Sequence, residues 1–369
     1  MTVILIEFSI VLAGMAITAI LFNRFPVLPD ATSDTLKPPS VSVIIPARNE
    51  ESNLPLLLKD LSEQKLQATE IIVVDDASED ATSQVAIENG ARLIRLDSKP
   101  EGWTGKTWAC KHGADAAKGE LLLFLDADVR LGKDGIRALV QAYLKENSAI
   151  SVQPYHITEK MYEQFSIFFN LIQIAANGTT LPKPLNIGLY GPVILISGQD
   201  YKKSGGHESV RKSIVEDLAL GAQLRKTGVP FRLFIGNQSV SFRMYANGFR
   251  ALIQGWTKNI ASGAARTPLA LFAMVFLWIA SLLSVPVQMI KTTMSANWTW
   301  LIIYSTLYLI WVIVVALLAK HIGRFKRWTI IVYPVLMLMM SGVFVISAIK
   351  KLFGLKVKWK GREIETGEK

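Results

Sequence analysis

The sequence predicts an α/β domain with a mostly parallel, Rossmann-like sheet and membrane helices at both ends of the chain. Between about Ser40 and Gly263, short β-branched runs alternate with helical patterns and polar turns. The ends hold four apolar segments, each near the ~20 residues that a helix needs to cross ~30 Å of hydrocarbon. These segments are Val3–Phe22, Leu269–Ile290, Trp298–Leu318 and Trp328–Ile349. One N-terminal and about two to three C-terminal membrane helices are therefore expected.

The first apolar segment is expected to be an uncleaved anchor. No basic residue precedes it, and it is longer than the ~7–15-residue apolar core of a signal peptide. The Pro, Asp, Ser and Thr residues that follow are typical of an extended spacer. The chain is thus divided into an anchor (residues 1–24), a linker (25–39), a central domain ending in interfacial helices (40–266), a membrane region (267–349) and a basic tail (350–369).

Basic residues predict a multi-pass protein of the cell membrane with its central domain in the cytoplasm. Arg24 follows the first segment, and four more lie between the second and third C-terminal segments: Lys320, Arg324, Lys326 and Arg327. A spanning last segment would export the basic tail, so a re-entrant or interfacial hairpin interrupted by Pro334 and Gly342 is expected instead. The net charge of +10 indicates contact with anionic membrane lipid and not with nucleic acid, because no nucleic-acid motif is present. Cys110 is the only cysteine, which excludes an internal disulfide.

Within the central domain, polar clusters follow the apolar runs that are expected to form strands. The strands are predicted at Ser40–Pro46, Glu70–Asp75, Ala91–Leu96 and Leu121–Leu125, and helices at Asn53–Gln64 and Ala81–Asn89. Ligands of such sheets bind at the carboxyl ends of the strands, which is where the polar clusters fall. A later apolar stretch, Met161–Ile174, predicts a buried or membrane-dipping helix.

Asp126 and Asp128 end the fourth apolar run, with Ala127 between them. Residues two apart in an extended chain point to the same side, so both carboxylates can face one ligand. Their mutual repulsion is relieved if a divalent cation lies between them and a diphosphate, and oxygen ligands favour Mg²⁺ or Mn²⁺. The four histidines lie far apart and lack zinc-site spacing. The alternative is a solvated acidic loop.

Five stretches together resemble the inverting glycosyltransferases of family two, which have the GT-A fold. They are PARNE (Pro46–Glu50), VVDDAS (Val73–Ser78), GKTWAC (Gly105–Cys110), LDADV (Leu125–Val129) and VEDLALG (Val215–Gly221). With SVQPYHIT, GGH, FRMY, QGWTK and WKGR, the chain is more narrowly similar to the family's membrane-bound members in staphyloxanthin-type carotenoid biosynthesis. This resemblance implies transfer of glucose from UDP-glucose to the carboxylate of a C30 carotenoid acid, which gives a glycosyl ester.

The resemblance assigns a donor-binding role to several residues. Pro46, Ala47, Arg48 and Glu50 would border the nucleoside, and Asp75 or Asp76 would accept the uracil imide N–H. Lys106 would bind the diphosphate side, although an ordinary surface lysine is the alternative. In the motif of Asp126, Ala127 and Asp128, Asp126 would contact ribose or water on the metal, and Asp128 would ligate the metal. The cation would act as a Lewis acid on the departing UDP.

The acceptor side is assigned to Glu216 and Asp217. In the family, the Asp of this pair is the general base that deprotonates the acceptor, and acids that merely favour a helix start are the compatible alternative. A carboxylic acid acceptor is already ionised near neutral pH, so Asp217 would then orient it more than deprotonate it. His156 and His207 are candidates to touch the acceptor or the leaving phosphate, but they are more simply structural.

The family's Q-x-x-R-W signature is altered in this chain. Gln254, Trp256 and Lys258 are expected to contribute to the donor site, but Gly255 stands at the arginine position. Either Arg250 or Lys258 would then supply the missing charge. The mixed aromatic and basic stretch Phe242–Trp256 suits a helix in the lipid interface, and plain core packing is the alternative.

The partners implied are UDP-glucose, an apolar lipid or carotenoid acceptor, membrane lipid and other enzymes of the carotenoid pathway. Other acceptors stay open: a hydroxylated carotenoid, diacylglycerol, a hopanoid or a polyprenyl phosphate. A non-enzymatic nucleotide-sensing membrane protein is the contrasting hypothesis. The complete set of donor and acceptor residues argues against it, because a sensor has no need of the Glu216–Asp217 pair.

Overall fold

The computed structural model describes residues 2–33, 38–360 and 362–365. In chain order, its first elements are α1 (Thr2–Leu21), β1 (Val41–Ala47), α2 (Leu54–Ser62), β2 (Glu70–Asp76), α3 (Thr82–Glu88), β3 (Arg92–Leu96), α4 (Gly105–Ala116), β4 (Leu121–Leu125), β5 (Val129–Leu131), α5 (Gly135–Glu146), β6 (Ala149–Gln153) and β7 (Tyr155–Ile157). Next come a 3₁₀ turn (Tyr162–Phe165), α6 (Ser166–Asn177), β8 (Val193–Ser197), α7 (Gly198–Lys203), a second 3₁₀ turn (Gly206–Val210), α8 (Glu216–Lys226), β9 (Phe231–Ile235) and β10 (Val240–Phe242). The last are α9 (Phe249–Ala264), α10 (Leu269–Met294), α11 (Trp298–Ile322), β11 (Gly323–Arg324), α12 (Arg327–Ile331), α13 (Tyr333–Leu352), β12 (Lys356–Trp359) and β13 (Arg362–Glu365).

These elements form two compact units. The helical unit comprises Met1–Phe25, Ile157–Leu185 and Tyr245–Phe353. The sheet unit comprises Pro26–His156, Asn186–Met244 and Gly354–Lys369. The short C-terminal strands β12 and β13 pair with each other and belong to the sheet unit.

A seven-stranded, mostly parallel sheet forms the centre of the sheet unit. Its strand order is β3-β2-β1-β4-β8-β6-β9. The four strands predicted from the sequence lie side by side in parallel, which confirms the expected α/β fold. Strand β8 is antiparallel to both neighbours, β4 and β6. The carboxyl ends of β1, β2 and β4 therefore lie at one edge, together with the start of β8.

Helices cover the sheet on both faces because apolar side chains recur at helical spacing. On one face, α2 buries Leu54, Leu57, Leu58 and Leu61 in the core that also contains the strand residues Val43 and Leu123. On the other face, α4 lies close to β1 and β2. A Cβ at Gly113 would be 2.3 Å from the Cγ2 of Ile44, so only glycine permits this close approach. The contact determines how closely α4 packs on β1.

Among the residues of the helical unit that the structure describes, three helices are long and apolar enough to cross a membrane: α10, α11 and α13. In α1, the described apolar part is shorter, at Leu5–Leu21. The Met161–Ile174 stretch forms the first 3₁₀ turn and most of α6, whose apolar side chains are buried. Helix α6 packs against α10, α11 and α13.

The prediction of a hairpin in the last apolar segment was wrong. Residues 333–352 form one continuous helix, α13, after the short α12. Pro334 lies in the first turn of α13, where its missing N–H has no intrahelical partner to lose. Gly342 is helical, and a Cβ placed there would meet nothing within 4 Å. Neither residue therefore breaks the helix.

Candidate active site

A small pocket opens at the carboxyl ends of β1 and β4 in the sheet unit. It combines residues from these strand ends with the starts of α4 and α8. Its lining consists of Pro46, Lys106, Cys110, Phe124, Leu125, Asp126, Gly191, Ile194, His207, Glu216 and Asp217. Residues that the sequence assigned to the donor side and to the acceptor side thus line one pocket.

Lys106 connects the acids of the two sides. Its Nζ lies 2.7 Å from Asp126 Oδ1 and 3.1 Å from Glu216 Oε1. The residue stands in the first turn of α4, which Thr104 caps by accepting a hydrogen bond from Thr107 N. Burial lowers the pKa of Lys106, but the two carboxylates outweigh it and hold that pKa well above the ordinary value. Lys106 is accordingly a permanent cation in the pocket, and the surface-lysine alternative does not describe it.

The carboxylate of Asp217 is held by two backbone groups. Gly191 N donates to its Oδ2 at 2.9 Å, and Leu218 N donates to its Oδ1 at 2.8 Å. A Cβ at Gly191 would lie only 3.0 Å from that Oδ2. Burial, followed by the charge of Glu216, raises the pKa of Asp217 to about 6. This carboxylate therefore changes protonation state close to neutral pH.

Close backbone contact fixes the start of α8, where Asp217 lies. A Cβ at Gly188 would lie 2.5 Å from Leu218 Cα, and a Cβ at Gly221 would lie 2.6 Å from Gly188 Cα. Only glycines allow the loop before β8 to touch α8 in this way. Gly188 and Gly191 were not predicted to belong to the site, although their spacing in NIGLYG is visible in the sequence.

Asp126 and Asp128 flank a turn at the end of β4, and of the two only Asp126 lines the pocket, so their shared role toward one ligand stays a prediction. Ala127 between them is 2% exposed and belongs to the apolar core, while both acids are partly exposed. Asp126 N donates to Pro192 O at 2.9 Å, which ties the end of β4 to the start of β8. Burial, then the charges of Asp126 and Glu50, raises the pKa of Asp128 to about 8. This site concentrates negative charge that a cation would relieve.

The loops after β1 and β2 are tied together by Arg48. Its Nη1 donates at 2.7 Å to the carbonyl oxygens of both Asp76 and Ala77. Asn49 and Ala77 adopt left-handed φ values of 51° and 52°. Such values cost of order 1–3 kcal/mol each and are typical of functional loops. Arg48 thus shapes the loop that was expected to border the nucleoside.

The two acids at the end of β2 are buried. Asp75 Oδ1 accepts a 2.9 Å hydrogen bond from Ser78 N, and its Oδ2 accepts one from the hydroxyl of Ser83. The Asp75 carboxylate therefore stabilises the loop that follows β2. Asp76 is 6% exposed and contributes its carbonyl to Arg48.

Two further residues lie at the site: His207, which the sequence offered as a candidate, and Lys360, which it did not. His207 lines the pocket, and its Nδ1 lies 2.9 Å from the Tyr201 hydroxyl. Burial lowers the pKa of His207 to about 4, so it is neutral at physiological pH. Lys360, at the tip of the β12–β13 hairpin, forms an ion pair with Glu50. His156 packs against Phe242 at 5.0 Å between ring centroids.

Gln254, Trp256 and Lys258 lie on α9 in the helical unit, and the structure does not group them with the pocket residues. Trp256 is 4% exposed and stacks on Phe169 with 4.5 Å between ring centroids. A Cβ at Gly255 would lie 2.3 Å from the Tyr245 ring, which is a physical reason for glycine at the arginine position of the signature.

Comparison with known proteins identifies the family. The sequence model of glycosyl transferase family 2 matches residues 42–184. The 4,4'-diaponeurosporenoate glycosyltransferase of Staphylococcus haemolyticus (strain JCSC1435) is 34% identical over 336 residues, which cover 88% of each chain. The protein of the same name from Staphylococcus aureus (strain MRSA252) is 34% identical over 367 residues, or 96% of each chain. The chain belongs to glycosyl transferase family 2.

A solved structure supports the fold assignment. The mannosyltransferase PcManGT from Pyrobaculum calidifontis, in complex with GDP-Man and Mn²⁺, superposes with a TM-score of 0.53 at 17% sequence identity. The alignment covers 93% of this chain and 99% of that one. The expected GT-A-like architecture with apolar helices is thereby confirmed.

Proposed function

We propose that this family 2 protein is a membrane-bound inverting glycosyltransferase that moves glucose from UDP-glucose to the carboxylate of a C30 carotenoid acid. The observation that carries the proposal is the placement of Lys106 between Asp126 and Glu216, with Asp217 lining the same pocket. In this arrangement, the permanently charged Lys106 contacts both Asp126, assigned to the donor side, and Glu216, assigned to the acceptor side. The names of the staphylococcal relatives support the carotenoid acid as acceptor.

The residues at the end of β4 fit a divalent cation. Asp126 and Asp128 supply hard oxygen ligands, and the raised pKa of Asp128 reflects the negative charge concentrated there. Among the described residues, no three His, Cys, Asp or Glu side chains are arranged to hold a metal alone. A Mg²⁺ or Mn²⁺ ion would then depend on donor phosphates for further ligands, as expected for an ion that arrives with its nucleotide. When bound, it neutralises charge on the departing diphosphate.

The reaction needs one bond to form and one to break. A carboxylate oxygen of the acceptor attacks the anomeric carbon from the face opposite UDP, and the bond between that carbon and the β-phosphate oxygen breaks. The electron pair leaves with UDP, and the product is an inverted glycosyl ester. Lys106 holds positive charge beside the leaving diphosphate throughout.

The proposed role of Asp217 depends on whether the acceptor is a carboxylic acid or an alcohol. Because its pKa is about 6, it can share one proton with an acceptor carboxylate instead of repelling it. The Gly191 and Leu218 amides hold its oxygens in a fixed direction. With an alcohol acceptor, the same carboxylate would have to be deprotonated and act as a general base.

We infer that α10 and α11 cross the membrane as a pair and that α13 does not. The chain leaves the sheet unit after Met244 and re-enters it at Gly354. A compact unit lies on one side of a bilayer, so the number of crossings in between is even. The basic connection between α11 and α12 then faces the cytoplasm, as does the sheet unit.

Cysteine labelling tests this topology, since the native Cys110 is buried. A membrane-impermeant maleimide should label Asn297→Cys, just before α11, in intact cells. It should label Lys356→Cys on the C-terminal hairpin only after lysis. Labelling of Lys356→Cys in intact cells would contradict the even number of crossings.

The function is tested with the full chain purified in detergent. UDP-glucose, UDP-galactose and GDP-mannose are offered with diaponeurosporenoate, a hydroxylated carotenoid, diacylglycerol, a hopanoid and a polyprenyl phosphate, and products are identified by mass. The expected result is a glucosyl ester of the carotenoid acid from UDP-glucose. Asp126→Asn should abolish it, whereas Asp115→Asn, an exposed acid on α4, should not. Transfer to another acceptor alone would overturn the carotenoid assignment, and no transfer at all would overturn the enzymatic one.

A further inference from the structure

His207 belongs to the pocket lining, but the proposed reaction makes no use of it. The residue lies in the second 3₁₀ turn and is only 2% exposed. Its Nδ1 lies 2.9 Å from the Tyr201 hydroxyl, so any polar contact that the ring makes with a ligand in the pocket is made by Nε2. Whether Nε2 is a donor or an acceptor therefore decides what His207 can bind.

The Tyr201 hydroxyl determines which ring nitrogen carries the proton. Its oxygen accepts a 3.1 Å hydrogen bond from the backbone N–H of His207. The hydroxyl proton then needs an acceptor of its own, and in the described part of the chain Nδ1 is the acceptor within hydrogen-bonding distance. Burial lowers the pKa of His207 to about 4, so the ring is neutral near pH 7 and carries a single N–H. Because Nδ1 accepts from Tyr201, that proton is assigned to Nε2.

Two packing contacts hold the rings in this arrangement. Gly206 has a φ of 49°, and a Cβ placed there would lie 2.5 Å from the Tyr201 ring. Glycine thus lets the turn approach the ring closely enough for one hydroxyl to reach both the backbone N and the Nδ1 of His207. The ring of Phe124, on β4, lies 5.4 Å from that of Tyr201 and 5.0 Å from that of His207, between centroids. The direction of Nε2 is therefore set by packing as well as by hydrogen bonds.

The side chains around Nε2 are mainly hydrogen-bond acceptors. Asp126, Glu216 and Asp217 line the same pocket, and the Lys106 ammonium is already shared by the first two. In the proposed reaction, the anomeric carbon lies between the diphosphate and the acceptor, so a pocket lined by residues of both sides would hold the transferred sugar. A sugar hydroxyl can donate its proton to a carboxylate, but its oxygen then needs a donor. His207 supplies a donor at this place.

We propose that His207 binds a hydroxyl oxygen of the transferred hexose through its Nε2–H, and that Tyr201 is the positioning residue that keeps the proton on Nε2. The proposal rests on the nucleotide-sugar transfer proposed above and adds a residue that binds the sugar and not the nucleotide. The contact therefore contributes to the affinity for UDP-glucose and not to the affinity for UDP.

The test compares UDP-glucose with UDP by calorimetric titration of the full chain in detergent, with Mn²⁺ and without an acceptor. His207→Phe keeps a ring but removes the donor, and it should weaken UDP-glucose binding at least about fivefold, because a sugar hydroxyl loses its partner. Its UDP affinity should change less than about twofold. His207→Gln, whose amide can accept from Tyr201 and donate to the sugar, should bind UDP-glucose within about twofold of the unaltered protein. His112→Phe, on α4 but outside the pocket lining, is the matched control and should change neither affinity.

NMR of the ¹⁵N-histidine-labelled protein measures the tautomer directly. The His207 signals, identified by their loss in His207→Gln, should show the proton on Nε2, and UDP-glucose should shift this proton more than UDP does. Tyr201→Phe should lower the share of the Nε2–H tautomer and weaken UDP-glucose binding less than His207→Phe does. A merely structural role of Tyr201 would leave the tautomer unchanged.

The outcomes separate this proposal from the proposed function. A proton on Nδ1 in the unaltered protein would overturn the proposal, as would an unchanged UDP-glucose affinity in His207→Phe, and the transferase assignment would then stand. Equal losses of UDP-glucose and UDP affinity in both His207→Phe and His207→Gln would show a structural role and also overturn it. If the unaltered protein binds neither UDP-glucose nor UDP, the proposed function fails and the role of His207 fails with it.

Discussion

The two sides of the pocket are stabilised differently. On the donor side, hydrogen bonds connect the side chains and backbone of neighbouring loops. On the acceptor side, glycines allow two backbone segments to make close contact, and this contact positions the Asp217 carboxylate. Arg48 and Asp75 are examples of the first device. Gly188 and Gly191, packed on α8 and Asp217, are examples of the second. Several hydrogen bonds therefore connect the loops of the donor side. On the acceptor side, an added carbon atom at Gly188 would meet the backbone of α8, and one at Gly191 would press on the carboxylate itself.

Lys106 belongs to both sides, so its loss should have the largest effect. Lys106→Met would leave Asp126 and Glu216 without their shared cation and remove positive charge near the leaving diphosphate. We expect kcat to fall by about 10²–10³, as for other preorganised charge-stabilising groups. Lys111→Met, on the same helix but paired with Asp115 outside the pocket lining, is the matched control and should stay within about twofold. A small loss in Lys106→Met would show that the two sides act separately.

Asp217→Asn separates the possible acceptors. General-base catalysis contributes about 10²–10⁴, so an alcohol acceptor should lose activity in that range. A carboxylic acid acceptor needs no deprotonation. The loss of activity with such an acceptor should therefore be smaller, because only the orientation of the acceptor is affected. A drop above ~10⁴ with a carotenoid acid would contradict an ionised acceptor.

The pH profile gives an independent measure of the same residue. Burial and Glu216 raise the pKa of Asp217 to about 6, so the carboxylate is protonated below that pH and charged above it. With an alcohol acceptor, kcat/KM should fall as the pH falls through 6. With a carboxylic acid acceptor, that decline should be absent and appear only near the acceptor's own pKa of ~4. Identical profiles for the two acceptors would argue against different roles of Asp217 toward an alcohol and a carboxylic acid.

Of these substitutions, Gly191→Ala should have the smallest effect on activity, and its structural effect should be the most local. Its new Cβ would press on Asp217 Oδ2 from 3.0 Å, so the carboxylate must shift by a few tenths of an ångström. We expect kcat to fall by about tenfold, since displacements of ~1 Å cost about 10². UDP affinity should not change, because the donor loops are untouched. A weaker UDP affinity with normal kcat would show that the two sides are not built independently.

The sequence predicted the donor side better than the acceptor side. Strands β1 to β4 are local patterns, in which apolar runs determine where a strand forms and where it ends, and Asp126 follows directly from the end of β4. Strand β8 was not anticipated, because an antiparallel strand inserted among parallel ones depends on contacts distant in sequence. The ion pair of Lys360 with Glu50 spans 310 positions, and no local pattern could indicate it.

The helical unit shows the same limit. Pro334 and Gly342 predicted an interruption, but a proline in a first turn and a glycine with open space around it are both compatible with one helix. The altered signature at Gly255 was visible in the sequence, whereas its reason, the Tyr245 ring, required the structure. The roles of Gln254, Trp256 and Lys258 stay predictions.

Calorimetric titration of UDP into the full chain, with and without Mn²⁺, tests most directly whether the acids after β4 form a metal-dependent nucleotide site. UDP should bind the unaltered protein and Asp115→Asn in a Mn²⁺-dependent manner, and Asp128→Asn should lose that dependence with at least about a tenfold weaker affinity. Equal Mn²⁺-dependent UDP binding by correctly folded Asp128→Asn would contradict the account.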